Sequence, residues 1–551
     1  MGQGAPAVRI VSLMTLVAGL SNVWSVVGPP PPHHLANWPR FLPLELFHHT
    51  RSAILLTGLA FVIASFHLYR RKKRAVYLVA ILSVFSALIH LLKGPSFLLA
   101  GLSAGLLIFL WRTRGHFKVL SSIPNGRWLA VSFAGTFLVV LAYGVAGFWF
   151  LDPREFGINF TLGDSIRRTL LFLSLVGDPE IVPHTRHARW FVDSLYLSTG
   201  MTFCYALFAA FRPVVYHVHT LPHERHLARE LLHLHGRCAL DYFKVWPDKT
   251  FHFSPAETAF LSYRVAGHFA LVLGDPVGPS DEIEPLIVEF IRYCETNDWR
   301  LAFHQVLPDH LEIYQRLGFR KLKIGDDAIV DLTRFNLGGK HFKRIRARLS
   351  ALQREGIVFE RHAPPLAPSL IHEAHVVSDA WLTIPGRRER SFTVGRFDPD
   401  YLRTTTLCAA RDRQGHMLAF TNEIPSFRES EATIDLMRHR PDAEAGIMDF
   451  LFVRLFLALR ETGYGRFNMG MAPLAGFQEA EEASAEERAV HYFFKQFHFL
   501  FSYQGLRRYK AKYASSWEPR YLVYRNVLQL PLLGRAILRV SERKTNDGEF
   551  P

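Results

Sequence analysis

The sequence predicts an α-helical membrane region followed by a soluble region of the α/β (α+β) class. Six long apolar runs lie within residues 1–212, and most have roughly the ~20 residues that a helix needs to cross a bilayer. From Arg212 onward charged side chains become frequent, and strand-like and helix-like patterns alternate. At 551 residues the chain is also too long for a single domain.

The apolar runs define a predicted membrane domain at residues 1–212 with about six transmembrane helices. Basic residues cluster at 70–74, between the second and third runs, and at 112–127, between the fourth and fifth. With six crossings both clusters fall on one side, which the positive-inside rule makes cytoplasmic. We therefore expect a multi-pass protein of the cell (inner) membrane whose soluble region is cytoplasmic. The six runs are 10–27, 52–69, 75–92, 95–111, 128–151 and 190–211.

The composition of the chain limits the kinds of partner and ligand that it can bind. The formal net charge of +15 favours an acidic partner, such as nucleic acid, anionic lipid or both. The four cysteines are scattered without a CxxC pair, so neither a disulfide framework nor a zinc site is expected. The 27 histidines include no HExxH or comparable spacing. We therefore predict no metal site and no bound cofactor.

The soluble region begins with a predicted α/β unit at residues 213–337. A basic, helix-like stretch at 217–237 leads into it, and Gly318 suits the end of its last helix. The LGDPVGP segment at 273–279 is a tight turn after a strand. The predicted elements are strands at 256–263, 266–273 and 301–306 and helices at 284–297 and 309–317.

A basic segment at residues 338–356 separates this unit from the next. Residues 338–354, GGKHFKRIRARLSALQR, contain no carboxylate. A solvated linker helix would explain the pattern, but a helix without compensating acids repels itself, so we favour contact with a polyanion. Its six cations are Lys340, Lys343, Arg344, Arg346, Arg348 and Arg354.

The second predicted α/β unit covers residues 357–526, and a short amphipathic tail follows at 527–551. The order of its elements is similar to that of the first unit, although no internal sequence repeat is evident. The predicted elements are a helix at 372–381, a strand pair at 417–424 and 432–438, a helix at 448–462, a strand at 466–470, a helix at 486–501 and a strand at 518–524.

The strand at 432–440, ATIDLMRHR, carries an acid at its centre. An ionised carboxylate there is unfavourable unless it is paired or used, and Arg438 is the nearest candidate partner of Asp435. On a regular strand the two side chains point to opposite faces, so they meet in one pocket only if the strand ends or bulges near Met437. A structural ion pair and a functional pair both remain open on these residues alone.

Clustered cations and aromatic rings follow near the C-terminus. The segment LRRYKAKY at 506–513 suits the binding of a phosphate group, with rings covering the apolar part of a ligand. An ordinary basic surface would show the same composition. The charged residues of this region that we consider are Arg507, Arg508, Lys510, Lys512, Glu518 and Arg520.

The order strand pair, helix, strand, helix, strand resembles the GNAT acyltransferase fold, as does the segment YQRLGF at 314–319. Most GNAT enzymes hold the pyrophosphate of acyl-CoA on a Q/RxxGxG/A loop that opens a helix. The matching string at 460–465, RETGYG, instead follows an apolar helix, where the helix dipole has the wrong sign for phosphate. We therefore reject it as a CoA site, and another acyl donor is needed.

Residues 212–525 resemble the synthase domain of the lysyl-phosphatidylglycerol synthase (multiple peptide resistance factor) family. The resemblance rests on seven segments in the family's order. They are LGDPVGP at 273–279, GDDAIVDLTRF at 325–335, GKHFKRIR at 339–346, SFTVGRF at 391–397, IDLMR at 434–438, FNMGMAPL at 467–474 and KAKYASSWEPRYL at 510–522.

The resemblance implies two tandem GNAT-like units joined by a basic helix, and an enzyme that needs no cofactor. It implies transfer of an amino acid, usually lysine or alanine, from aminoacyl-tRNA to the headgroup of phosphatidylglycerol in the bilayer. The product is less anionic and confers resistance to cationic peptides. Full-length members carry a larger membrane region with a lipid-flipping part, which six spans do not match. A homo-oligomer is compatible with the sequence, which does not determine the oligomeric state.

Roles for individual residues also follow from the resemblance. It implies that Asp435 binds the α-ammonium of the aminoacyl group or orients the lipid hydroxyl, and that Arg438 binds the lipid phosphate or the oxyanion. The other catalytic candidates are Lys510 and Lys512. Candidate substrate-binding residues are Arg508, Glu518 and Arg520, and candidate tRNA-binding residues are Lys340, Lys343, Arg344 and Arg346.

Two other readings remain open. An acyl-CoA-dependent lipid acyltransferase would need a phosphate loop that the sequence does not show. A non-catalytic, membrane-tethered protein that binds tRNA or lipid would be indicated by loss of Asp435 or Arg438, and both are present.

Overall fold

The computed structural model describes residues 5–27, 44–93, 97–117, 119, 126–150, 156–174, 177–178, 180–209, 220–473 and 503–542. The chain forms two compact units. The first comprises residues 1–215 with 295–298, and the second comprises residues 216–294 with 299–551. The main division at 215 lies close to residue 212, where the sequence predicts the membrane domain to end.

The first unit is helical, and helices occur at all six predicted apolar runs. A shorter helix follows a capping box that Thr161 and Asp164 form. The helices are α1 (Ala5–Val27), α2 (Leu44–Tyr69), α3 (Lys73–Lys93), α4 (Phe97–Thr113), α5 (Gly126–Phe150), α6 (Leu162–Leu173) and α7 (Arg186–Ala209).

Close helix packing in this unit depends on small residues. A Cβ placed on Gly19 of α1 would lie 2.8 Å from the carbonyl oxygen of Gly58 in α2, so glycine allows the two backbones to approach. Within the described residues, Pro6–Trp24 is the one helical segment with the length and apolar composition to cross a bilayer. The apolar helical segments Leu56–Tyr69 and Ala134–Phe150 are shorter, so six crossings stay a prediction.

The second unit is built on one mixed sheet of eleven strands in the order β1-β2-β3-β4-β11-β5-β10-β9-β8-β7-β6. The strands are β1 (Thr250–Phe253), β2 (Phe260–Ala266), β3 (Phe269–Leu273), β4 (Arg300–Val306), β5 (Arg320–Asp331), β6 (Val358–His362), β7 (Thr406–Arg411), β8 (Met417–Ile424), β9 (Glu431–His439), β10 (Arg466–Pro473) and β11 (Ser516–Tyr524). The helices are α8 (Pro222–His235), α9 (Ser280–Thr296), α10 (Leu311–Arg316), α11 (Lys343–Arg354), α12 (Pro368–Leu382), α13 (Pro399–Arg403), α14 (Ile447–Glu461), α15 (Tyr503–Lys510) and α16 (Leu530–Ser541).

The first half of this sheet comprises β1–β5 and the second half β6–β11, and the last strand of each half pairs with strands of the other half. Strand β11, from the end of the second half, lies between β4 and β5 and pairs antiparallel with both. Strand β5, from the first half, pairs with β10 of the second. The predicted units at 213–337 and 357–526 therefore do not form separate sheets, because each half completes the other.

Several elements differ from the sequence prediction. Strands β1, β5, β6 and β7 were not predicted. In β5 the sequence RKLKIGDDAIVD mixes charges with apolar residues, which hides the alternation that marks a strand. The predicted strand pair at 417–424 and 432–438 is confirmed as the antiparallel pair β8–β9. The predicted helix at 486–501 lies outside the described residues.

The basic segment forms helix α11, which begins at Lys343 rather than at residue 338. Ile345, Leu349 and Leu352 are buried in the apolar core of the second half, and their spacing places them on one helical face. The helix is therefore docked on the sheet and is not a free linker. Its opposite face exposes Lys343, Arg344, Arg348 and Arg354.

Candidate functional site

Asp435 lies where strand β9 bulges. The pairing of β9 with β8 shifts register between Thr421–Met437 and Glu423–Ile434, which confirms the irregularity near Met437 that the sequence analysis required. The backbone N–H of Leu436, inside the shift, donates to Oδ1 of the Asn422 side chain at 2.9 Å. A side chain thus satisfies the amide that the bulge removes from the ladder.

Two donors hold the Asp435 carboxylate. The Tyr401 hydroxyl donates to Oδ2 at 2.7 Å, and the backbone N–H of Gly395 donates to Oδ1 at 2.9 Å. Gly395 must be glycine, because a Cβ at this position would lie 1.9 Å from Oδ2 of Asp435. Tyr401 is in turn held by Asn422, whose Nδ2 donates to the phenol oxygen at 2.8 Å. We call Asp435, Arg438, Tyr401, Gly395 and Glu389 the Asp435 site.

Burial raises the pKa of Asp435 to about 6. The hydrogen bonds from Tyr401 and Gly395 and the charge of Arg438 act in the opposite direction, and Glu389 adds to the increase. At neutral pH the carboxylate is mostly ionised, yet it takes up a proton more readily than an ordinary aspartate. Such a group can accept a hydrogen bond from a hydroxyl or ammonium and exchange a proton near physiological pH.

Arg438 is not paired directly with Asp435, which corrects the partner suggested by the sequence. Its Nη2 donates to both carboxylate oxygens of Glu389, at 3.1 and 3.0 Å. The guanidinium lies 3.8 Å from the centroid of the Trp381 ring, a cation–π contact. Arg438 is 4% exposed, and its Nη1 has no hydrogen-bond partner among the described residues.

The sheet opens at the level of Asp435. Strands β9 and β10 run parallel and pair over three residues, from Glu431–Arg466 to Thr433–Asn468. Beyond that point β9 follows β8, while β10 follows β5 with a register shift between Asn468 and Met471. We call this gap in the ladder the opening; it begins two residues before Asp435, whose side chain is half-buried.

Lys510 supports the far side of this opening. Its Nζ donates to the carbonyl oxygens of Gly470 at 2.9 Å and Met471 at 3.0 Å. Gly470 has a φ of +78°, a conformation that suits glycine. Burial lowers the pKa of Lys510 to about 8. Lys510, predicted to be catalytic, thus fixes the backbone of β10 after it leaves β9.

Lys512 is placed away from Asp435. Its Nζ pairs with the buried Asp449 of α14 at 3.1 Å, and the Tyr513 hydroxyl donates to the same carboxylate at 2.6 Å. The backbone oxygen of Lys512 lies 3.0 Å from Nε2 of His341. Lys512 therefore lies beside the basic segment rather than at the carboxylate.

The remaining predicted substrate-binding residues lie in other environments. Glu518 pairs with Arg428 at 2.9 Å and Arg466 at 2.5 Å. Arg520 is buried and donates from Nη2 to Asp327 at 2.6 Å, so it connects β11 to β5. Arg508 is exposed on α15. No contact of these three with the Asp435 site is found among the described residues.

The predicted tRNA-binding residues are grouped at the N-terminal end of α11. Lys340, Lys343 and Arg344 are exposed. Arg346 is half-buried and donates to the carbonyl oxygens of Leu337 and Gly339, so it braces the turn before the helix. Three of the four predicted cations are thus directed to solvent.

A family model described as "Phosphatidylglycerol lysyltransferase, C-terminal" matches residues 229–524, more than half of the chain. The chain belongs to this family. The match extends from α8 to the last strand of the sheet and includes the Asp435 site and α11.

Relatives in this family agree with the match. The chain is 36% identical over 296 residues to a phosphatidylglycerol lysyltransferase of Staphylococcus aureus (strain MSSA476), covering 54% of this chain and 35% of that protein. It is 33% identical over 345 residues to one of Bacillus subtilis (strain 168), covering 62% and 40%. The chain thus spans well under half of either relative.

A solved structure supports the fold of the second unit. The structure of L-PGS from Bacillus licheniformis has 34% sequence identity and a TM-score of 0.53, and the match covers 58% of this chain and 97% of that chain. The resemblance stated from the sequence motifs is confirmed at the level of the family.

Four residues in the Asp435 site or next to it were not predicted from the sequence. Tyr401 lies on the short helix α13, and Glu389 and Gly395 lie on the preceding loop, 46 and 40 residues before Asp435 in the sequence. Trp381 lies in the last turn of α12. Gly395 was within the family segment SFTVGRF, which is the one signal that could have identified it. The others reach Asp435 and Arg438 only through tertiary contacts.

Proposed function

We propose that this chain transfers an aminoacyl group, lysyl in the first instance, from aminoacyl-tRNA to the glycerol headgroup of phosphatidylglycerol. The proposal is carried by one observation: a protonatable carboxylate and an arginine whose Nη1 has no partner among the described residues lie on β9 just beyond the point where its pairing with β10 ends. The donor and the acceptor are inferred from the family and from the names of the relatives. Alanine is the other amino acid that the sequence resemblance suggests.

The reaction exchanges one ester for another. The oxygen of the lipid hydroxyl attacks the aminoacyl carbonyl carbon, and the bond to the ribose oxygen of the tRNA breaks. The lipid hydroxyl loses its proton, and the departing ribose oxygen gains one. Because the donor ester is already activated, the protein must chiefly align the two groups and stabilise the oxyanion.

The residues at the opening can meet these needs. Asp435, ionised above its pKa of about 6, accepts a hydrogen bond from the α-ammonium or from the attacking hydroxyl. The buried Nη1 of Arg438 has no hydrogen-bond partner in the part of the chain that the structure describes, so it can donate to the lipid phosphate or to the oxyanion. Tyr401 and Gly395 hold the carboxylate in place, and Lys510 holds the opposite strand.

An acyl-CoA donor is disfavoured by the charge around α14. The string at 460–465 lies at the C-terminal end of that helix, and Gly463 has a φ of +92°, typical of a helix stop. The N-terminal end carries Asp449 in its first turn, preceded by Asp442 and Glu444. Asp449, held by Lys512, already places an anion in the first turn of the helix end that otherwise attracts anions, which disfavours a pyrophosphate there.

Helix α11 is the proposed contact for the tRNA. Reversing Lys343 and Arg344 to Glu should weaken the apparent affinity for aminoacyl-tRNA at least tenfold and reduce its dependence on salt. The matched control is reversal of Arg320 and Lys321, another adjacent exposed pair. An equal loss in both variants would mean that net charge, and not the helix, governs binding.

We also propose that the first unit anchors the protein in the cell membrane through several helices, with the second unit in the cytoplasm. Addition of lysine would change the lipid charge from −1 to about +1, which lowers the attraction of the surface for cationic peptides. Resistance to such peptides follows as a cellular consequence.

The decisive experiment supplies the full chain in phosphatidylglycerol vesicles with each radiolabelled aminoacyl-tRNA in turn. We expect label from lysyl-tRNA in the chloroform phase and no label after RNase treatment. Label from another donor would change the amino acid but keep the reaction class. No label from any donor, with folded protein present, would contradict the proposal, and acyl-CoA would then be tested.

A further inference from the structure

The C-terminal helix α16 has two different faces. Leu530, Leu533, Ala536 and Val540 are buried in the core that also contains residues of β3. The outward face is not simply polar, because Leu532 is 48% exposed and Leu528, in the turn just before the helix, is 85% exposed. These two leucines give the outward side of the helix an apolar surface in addition to the stripe that it buries.

Cations accompany these leucines. Arg535 and Arg539 are exposed, and their spacing from Leu532 places them on the same helical face. Residues 525–541 contain three arginines and no carboxylate. Leucines bordered by arginines match the interface of an anionic bilayer, where the leucines enter the headgroup region and the arginines meet lipid phosphates.

The inner end of α16 is connected to the Asp435 site. The Ser391 hydroxyl donates to the carbonyl oxygen of Val540 at 3.0 Å, and the Ser391 N–H donates to that of Ser541 at 3.1 Å. Ser391 belongs to the loop that carries Glu389 and Gly395. A surface contact made by α16 would therefore orient the loop that holds Asp435.

We propose that α16 is a docking helix that places Leu528, Leu532, Arg535 and Arg539 on an anionic lipid surface. The contact is separate from the helices of the first unit, and it does not depend on which group the enzyme transfers. A nucleic acid fits this face less well, because phosphate contacts use cations and polar groups and gain nothing from exposed leucines. A second copy of this chain, equally cationic, would be repelled.

The test places the full chain in nanodiscs of phosphatidylglycerol or of phosphatidylcholine. Leu532→Cys, made with Cys204→Ser to remove the half-buried native thiol, is labelled with an environment-sensitive fluorophore. Val358→Cys on β6 is the matched control, because Val358 is also 48% exposed but lies on the edge strand remote from α16 in the sheet order.

We expect brominated lipid to quench the label at position 532 at least twofold in phosphatidylglycerol discs, and much less in phosphatidylcholine discs. The label at position 358 should not be quenched in either. Arg535→Glu with Arg539→Glu should remove the quenching at 532 and raise the KM for phosphatidylglycerol several-fold, with kcat little changed.

Three results would overturn the proposal. The label at 532 could show equal emission in both kinds of disc, or the label at 358 could be quenched as strongly as the label at 532. In the third, tRNA without lipid would shield the label at 532 from solvent. Quenching at 532 together with no transfer from any donor would instead support docking and contradict the proposed reaction.

Discussion

Two aspartate carboxylates, one in each half of the sheet, are held by the same two kinds of donor. Asp275, after β3, accepts from the Tyr314 hydroxyl at 3.1 Å and from a backbone N–H, that of Leu307, at 2.9 Å. Asp435, in β9, likewise accepts from a tyrosine hydroxyl and a backbone N–H. Burial raises the pKa of both.

What differs is the neighbouring pair of parallel strands. In the first half β3 and β4 pair along the whole of β3, to Leu273–His304, and the N–H of Gly274 extends the ladder to the oxygen of His304. In the second half the pairing of β9 with β10 stops two residues before Asp435. The closed pair makes its carboxylate a structural group, whereas the open pair leaves its carboxylate accessible beside Arg438.

The largest expected effect separates the two carboxylates. Asp435→Asn should reduce transfer at least ~100-fold, since a charge that acts in the transition state is lost. Asp275→Asn should keep kcat but lower the free energy of unfolding by about 1–3 kcal/mol, because an amide cannot accept from both donors as a carboxylate does. Turnover per folded molecule and urea denaturation measure the two effects.

The direction in which the pKa of Asp435 is shifted provides a second test of its role. The folded-state pKa of Asp435 is above that of an unfolded aspartate, so its ionisation destabilises the fold as the pH rises from about 4 to above 6. Asp435→Asn removes the titrating group together with one acceptor, so its Tm should depend less on pH between about 4 and 6 than that of the unchanged protein. An unaltered pH dependence of the Tm in Asp435→Asn would contradict the raised pKa.

A smaller effect is expected from Arg438→Lys. The charge remains, but the planar stack on Trp381 and the second guanidinium nitrogen are lost, so transfer should fall about tenfold. The control is Arg361→Lys, which changes a bidentate pair with Glu423 at 2.6 and 2.9 Å. The control should alter stability alone. Equal activity losses would show that any arginine–glutamate pair in this half affects transfer.

The smallest effect concerns the tyrosines. Tyr401→Phe removes a hydrogen bond that stabilises ionised Asp435, so the pKa rises and the acid limb of the pH–rate profile should move upward by roughly half a unit to one unit. Tyr314→Phe should lower the free energy of unfolding by about 1 kcal/mol, as Tyr401→Phe should. Tyr314→Phe should not move the pH–rate profile. An unmoved profile in Tyr401→Phe would mean that Asp435 does not set the acid limb.

The candidate site was predictable only in part. Asp435 stands out as an acid inside an apolar strand, and the need for a bulge near Met437 follows from strand geometry. The partner of Arg438 was wrongly predicted, because Glu389 lies 49 residues earlier in the sequence and no local pattern connects the two. Lys510 was predicted to be a reacting group; its Nζ donates to two carbonyl oxygens of β10, and its catalytic role stays a prediction.

Local patterns in the sequence predict part of the secondary structure and the family. Apolar periodicity predicts the β8–β9 pair and α14, uncompensated charge marks α11, and the ordered motifs identify the phosphatidylglycerol lysyltransferase family. Tertiary contacts place β11 between β4 and β5, separate β9 from β10 before Asp435, and bring Tyr401 and Gly395 to the carboxylate. The physical reason is that strand register and partner choice depend on contacts between distant residues, which a period of two or 3.6 does not encode.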